Sequence, residues 1–196
     1  AMHWIGRQGL KVERDDILIT NGAAHGIFLA LASLAGPDDV VLCEGLTDHG
    51  VIGNSQVLGF TLKGLETDHH GINPEHFEDM CSNERITALV CTPNLNNPTT
   101  SLMPDSRRRE IAEIARRFGV QPDLVCRAKG STNGAVPMGA VGASARIYDT
   151  VLGGADAPIG LFHGYTYSGH PRACAAGLAT LDTYAEEDLF ARSLDI

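Results

Sequence analysis

The sequence predicts an α/β protein, a mostly parallel sheet with flanking helices, folded as a single domain over residues 1–196. Short apolar runs alternate with longer stretches of helical period along the chain, which is the pattern of strands joined by crossover helices. One of these runs, "ITALVCT" (86–92), is apolar on both faces, as strands buried inside parallel sheets are.

The elements follow in order. "DILIT" (16–20) reads as a strand. "GAAHGIFLALASLAG" (22–36) reads as a helix that Gly36-Pro37 ends. "DVVLCE" (39–44) is a second strand, a weaker helix covers roughly 49–57, and "FTLKGLE" (60–66) is a third strand. "DHHGINPE" is a turn, with Pro74 placed to open the helix "PEHFEDMC". After the fourth strand (86–92) comes the loop "NLNNPTT". The helix 105–119 then sets Ile111, Ile114, Ala115 and Phe118 on one face. "DLVCRA" (123–128) and "MGAVGAS" (138–144) are the fifth and sixth strands, and 170–194 is a long helical pattern.

Composition narrows the partners. The chain has 196 residues, 43% apolar and 20% charged, with a net charge of −9 and no basic block. A polyanion surface is disfavoured, so no nucleic acid is expected. No apolar run reaches the ~18 residues of a membrane span, and the start carries no signal-peptide pattern. The five cysteines form no CxxC pair, which points to reduced thiols and a cytoplasmic protein. "DHH" (68–70) lacks the spacing of a helical metal site, so no metal is expected.

In parallel sheets ligands bind beyond the carboxyl ends of the strands, so the residues just after each strand are the candidates. Gly22, Ala23 and Ala24 open a helix; they make either a phosphate cup of backbone N–H groups or a tightly packed helix start. His49, beside Asp48, either stacks on a planar ligand or is a solvated loop residue. Asn97 offers an amide to a ligand oxygen, or belongs to a plain Asn-Pro turn. Lys129 follows the fifth strand among glycines. Such a lysine either reaches water or is held in a dry pocket as a Schiff-base nucleophile. The chain has three lysines, Lys11, Lys63 and Lys129. Lys63 lies mid-strand and should face solvent, so Lys129 is the one to bear chemistry. His163, Thr166, Ser168 and His170 lie in a loop dense in aromatics and hydroxyls, "FHGYTYSGHP", where Thr166 and Ser168 are candidates for phosphate oxygens.

Taken together these fragments resemble the fold-type I enzymes dependent on pyridoxal phosphate, the aminotransferase superfamily. Residues up to about Gly119 resemble class I/II enzymes and the effector domains of MocR-type regulators, through "ILITNGAAHGIFLALASLAGPDDVVL", "CTPNLNNPTT" and "RRREIAEIARRFGV". From about Phe118 the chain resembles class III, the omega-amino-acid:pyruvate and 4-aminobutyrate type, through "FGVQPDLVCRAKGSTNGAVPMGAV" and "FHGYTYSGHPRACAAGLATLD". The chain reads as a chimera of segments 1–119 and 120–196 joined at "FGV", folded as a truncated aminotransferase large domain.

The resemblance implies roles. Lys129 matches the class III Schiff-base lysine, and Gly22, Ala23 and Ala24 match the class I phosphate cup. Asn97 matches the asparagine that contacts the cofactor's phenolic oxygen. Thr166, with Tyr165 beside it, matches the threonine that reaches the neighbouring subunit's phosphate, which requires a homodimer. There are departures as well. Asp48 stands where an aromatic is usual, leaving His49 as the stacking group. Thr100 replaces the glycine of the "NPTG" motif. The strand that carries an aspartate to the pyridine nitrogen is absent at the join. Asp123 sits at the wrong end of the lysine strand to replace it, and Arg127 is the remaining polar neighbour. The small C-terminal domain and its substrate arginine are also absent. The expected function is a slow, loosely specific transaminase that moves an amino group from an amine or amino acid to a keto acid such as pyruvate. The alternative is a non-catalytic or inactive fragment that binds pyridoxal phosphate or nothing. A regulator's effector domain is a third reading, and neither a helix-turn-helix pattern nor a basic region supports it.

Overall fold

The computed structural model describes residues 17–119, 124–144 and 168–189. In chain order the elements are β1 (Ile17–Thr20), α1 (Ala23–Leu34), β2 (Val40–Glu44), α2 (His49–Leu58) and β3 (Thr61–Leu65). Next come β4 (Thr67–Asp68), β5 (Gly71–Ile72), α3 (Pro74–Asn83), β6 (Ala88–Val90) and α4 (Asp105–Arg117). The last are β7 (Leu124–Ala128), a 3-10 turn (Lys129–Thr132), β8 (Gly139–Ala143) and α5 (Pro171–Glu186). The chain divides into two compact units, residues 28–122 and residues 1–27 with 123–196.

In the 28–122 unit the sheet order is β3-β2-β6. Both pairings are parallel, with Val41 opposite Leu62 on one side and Ala88 on the other. The central strand is buried at Val41, Leu42 and Cys43. Leu42 and Leu65 pack with Ile72, Phe77, Met103, Ile111 and Ile114 into one apolar cluster. The helix ends are set by local chemistry. The Asn73 carboxamide oxygen accepts from the Glu75 and His76 N–H groups, and Pro74 opens α3. The Asp48 carboxylate caps α2, and Gly59, at φ 84°, closes it.

Three details differ from expectation. The stretch read as a turn holds the small hairpin β4–β5, with Thr67 opposite Ile72; two-residue strands are too short to show a period. The ladder of β6 covers Ala88–Val90 alone. Outside it, the Thr87 hydroxyl donates to Asp39 and the Thr92 N–H to Glu44. Helix α4 stops at Arg117, so Phe118 falls past its end and is 42% exposed, while Ile111 and Ile114 are buried as the period requires.

The other unit has the sheet order β1-β8-β7. Strand β8 runs antiparallel to both neighbours, so β1 and β7 point the same way. Gly139, the first residue of β8, lies opposite Thr20 of β1 and Ala128 of β7. The carboxyl ends of β1 and β7 therefore flank one point. Parallel pairing holds throughout the first sheet, while the reversed β8 was not marked by its apolar pattern. Helix α1 crosses this sheet closely at Gly26, where a Cβ would come within 2.6 Å of Val141 Cγ2.

Candidate active site

The turn after β1 is built for close backbone approach. Gly22 has φ 89°, in the region that favours glycine. Its carbonyl oxygen accepts from the Thr20 hydroxyl at 2.9 Å and from the Gly26 N–H at 3.2 Å. The N–H groups of Ala23 and Ala24 precede that first helical bond and belong to the positive end of the α1 dipole. Under this turn lies Gly139. A Cβ there would sit 2.4 Å from the Gly22 carbonyl carbon, so only glycine lets β8 begin beneath the cup. Gly139 was missed in the sequence because its partner lies 117 positions away, a separation that local pattern does not register.

Lys129 directly follows β7 at the same sheet edge, and its side chain is exposed. Of the two environments open to it, the structure shows the one in contact with solvent. Its backbone is left-handed, φ 53°, and its carbonyl accepts from the Gly134 N–H at 3.2 Å. The structure thus brings Gly22, Ala23, Ala24 and Lys129 to one edge of one sheet. Lys63, in contrast, donates to both Glu84 carboxylate oxygens, at 2.8 and 2.6 Å, and its side chain is 39% exposed.

In the 28–122 unit a second set gathers at the carboxyl edge of β2 and β6. The Asn97 amide donates to Asp48 Oδ2 at 2.6 Å, so one of its two N–H donors is engaged. His49 Nδ1 lies 3.9 Å from the same carboxylate, and the ring is 98% exposed. Glu44, at the end of β2, is buried and accepts from the Thr92 N–H at 2.6 Å. Asp48 and Glu44 thus tie the segment after β2 to the loop after β6 at both ends. Asp48 entered the sequence reading as a departure from an aromatic; its part as cap and as partner of Asn97 came from the structure. Tyr165, Thr166, His163 and Asp123 lie outside the described residues, and the Arg127 side chain is not described. Ser168 is described, and its hydroxyl donates to the Ile19 carbonyl.

All five cysteines are free thiols. Burial, aided by the Glu44 charge, pushes Cys43 up to about 11, and burial pushes Cys126 up to about 11. Burial raises Cys91 further in the same direction. Cys43, Cys91 and Cys126 are therefore not poised as thiolate nucleophiles near neutral pH.

Comparison with known proteins gives the chain's family. The family model for class I and II aminotransferases matches residues 1–122, and that for class III aminotransferases matches residues 114–196. The chain belongs to the aminotransferases. Over 79 residues, 40% of this aminotransferase chain, it is 73% identical to an omega-aminotransferase of Caulobacter vibrioides, covering 18% of that protein. Over 120 residues, 61% of the chain, it is 32% identical to the HTH-type transcriptional regulator YdeF of Bacillus subtilis, covering 26% of it. The adenosylmethionine-8-amino-7-oxononanoate aminotransferase of Methanocaldococcus jannaschii superposes with a TM-score of 0.74 at 17% identity, over 90% of this chain and 52% of that one. The aminotransferase chain therefore spans less than a fifth of the first curated relative and about half of that solved structure. The cup and Lys129 suit an anionic aldehyde cofactor. The cup offers backbone N–H groups to a phosphate, Gly139 lets β8 pack directly against the Gly22 turn, and a primary amine stands at the same edge.

Proposed function

We propose that the chain is a small transaminase that uses pyridoxal phosphate and transfers an amino group from an amine or amino acid to a keto acid such as pyruvate. The observation that carries this reading is the convergence of the Gly22–Ala24 cup and Lys129 on the first residue of β8. Bound there, pyridoxal phosphate supplies the carbonyl carbon on which amino groups are exchanged and a ring that withdraws electrons. The Ala23 and Ala24 N–H groups and the α1 dipole hold its phosphate. Lys129 would hold the cofactor through its amine, and that amine would take up the proton from the substrate Cα. Gly22 supplies the turn that clears the backbone for the phosphate.

The remaining roles follow the family resemblance: Asn97 toward the phenolic oxygen, His49 toward the ring face, and Tyr165 with Thr166 toward the phosphate of a partner subunit in a homodimer. The free thiols suit a cytoplasmic setting. The overlap of the two family models at residues 114–122 supports a join of two aminotransferase segments near "FGV".

A second reading, a fragment that binds the cofactor without catalysis, is favoured by the share of each relative that the chain spans. One experiment separates them. Purified protein is mixed with pyridoxal phosphate, an amine donor and pyruvate. The proposed function predicts a visible absorption band that Lys129→Ala abolishes, together with alanine formation. A band without alanine favours the second reading, and the absence of a band overturns both.

A further inference from the structure

Lys129 sits in a conformation that its own sequence does not favour. At φ 53° a residue with a Cβ is crowded, and such a turn persists where its surroundings hold it. Two carbonyls do the holding. The Lys129 oxygen accepts from the Gly134 N–H at 3.2 Å, while the next carbonyl, Gly130, receives the Asn133 N–H at a long 3.5 Å. The stronger bond to Gly130 comes from elsewhere: the Tyr184 hydroxyl on α5 donates to it at 2.7 Å.

Helix α5 is seated for this contact. At Gly177 a Cβ would lie 3.0 Å from Met138 Cε and 3.4 Å from the Ser131 carbonyl oxygen, so the helix lies directly on the lysine-bearing turn. Tyr184 is two helical turns further on and shares that face. A Cβ at Gly130 would meet the Tyr184 hydroxyl at 3.3 Å, so glycine there keeps the approach open.

We propose that Tyr184 is a positioning residue for Lys129. Its hydroxyl fixes the Lys129–Thr132 turn and so sets the direction in which the lysine leaves the strand. The consequence for cofactor capture rests on the proposed function; the hold on the turn does not.

The test is Tyr184→Phe, which removes the hydroxyl and keeps the ring. Two readouts are taken from the same protein. The first is amide hydrogen exchange at Asn133 and Gly134. The second is the fraction of Lys129 carrying pyridoxal phosphate after borohydride reduction at sub-saturating cofactor, with Lys63 as internal reference. Loss of one hydrogen bond predicts exchange at Asn133 and Gly134 faster by about five-fold and a Lys129 adduct reduced by a similar factor, with Lys63 labelling unchanged. Unchanged exchange overturns the inference whatever the adduct does. Faster exchange with an undiminished Lys129 adduct also overturns it, since the turn would then not aim the amine. If neither protein takes an adduct on Lys129, the cofactor reading falls, and exchange alone decides whether Tyr184 holds the turn.

Discussion

The two units are assembled by different means. In residues 28–122, large apolar side chains interlock: Leu42, Leu65 and Ile72 are sealed under α3 and α4, and the parallel strands lie beneath them. In the lysine-bearing unit, the decisive contacts are made by missing side chains. Gly139 under Gly22 and Gly26 over Val141 each come against a neighbour at distances a Cβ would block, and Gly177 lies close over Met138 and Ser131. Among the described residues of that unit the sealed apolar side chains are Val141 and Ala173. The first unit has a close approach of its own, a Cβ at Gly45 falling 2.8 Å from the Leu65 carbonyl oxygen, but among the described residues the large sealed side chains cluster there, so the two units should fail differently under substitution.

The largest effect is expected where volume rules. Leu42 is fully buried, and Leu42→Ala should destabilise by about 2–5 kcal/mol, read as a lower urea midpoint. Gly139→Ala should cost about 1–3 kcal/mol through overpacking and, unlike Leu42→Ala, should weaken phosphate and pyridoxal phosphate binding by roughly ten-fold. Equal binding in wild type and Gly139→Ala would break the contrast between the units.

Alkaline pH probes both units at once. The folded thiols of Cys43 and Cys126 titrate near 11, above the ordinary value of 9.0. Folding favours the neutral form, so this stability is complete below about pH 9. It declines as pH rises toward about 11, because the unfolded chain loses its protons first. Thermal unfolding from pH 8 to 11 should show that decline, and Cys43→Ala with Cys126→Ala should make it shallower, with Cys91, raised in the same direction, keeping the remainder. The smallest effect is expected for Lys63→Ala. Its ion pair with Glu84 is partly exposed on both sides and should contribute less than about 1 kcal/mol. A larger loss by chemical denaturation would mean that side-chain pairing matters at the sheet edge more than packing does.

The same contrast decides what the sequence disclosed. Helix α4 was legible because Ile111 and Ile114 repeat with the helical period, and Lys129 because it ends an apolar run among glycines. Period fails for the two-residue strands β4 and β5. It is also silent about direction, so the reversed β8 emerged from its register with β1 and β7. The site's supports were least visible. Gly139 acts on Gly22, and Tyr184 on Gly130 54 positions away; neither signal is local. Asn97 and Asp48 were each singled out, but their hydrogen bond spans 49 positions.

The central claim is that the cup and Lys129 form one cofactor site. The direct measurement is to reduce the protein with borohydride in the presence of pyridoxal phosphate and map the modified peptide among the chain's three lysines. The account predicts the adduct on Lys129, lost when free phosphate competes for the cup. An adduct on Lys63 or Lys11 instead, or one on Lys129 indifferent to phosphate, would contradict it.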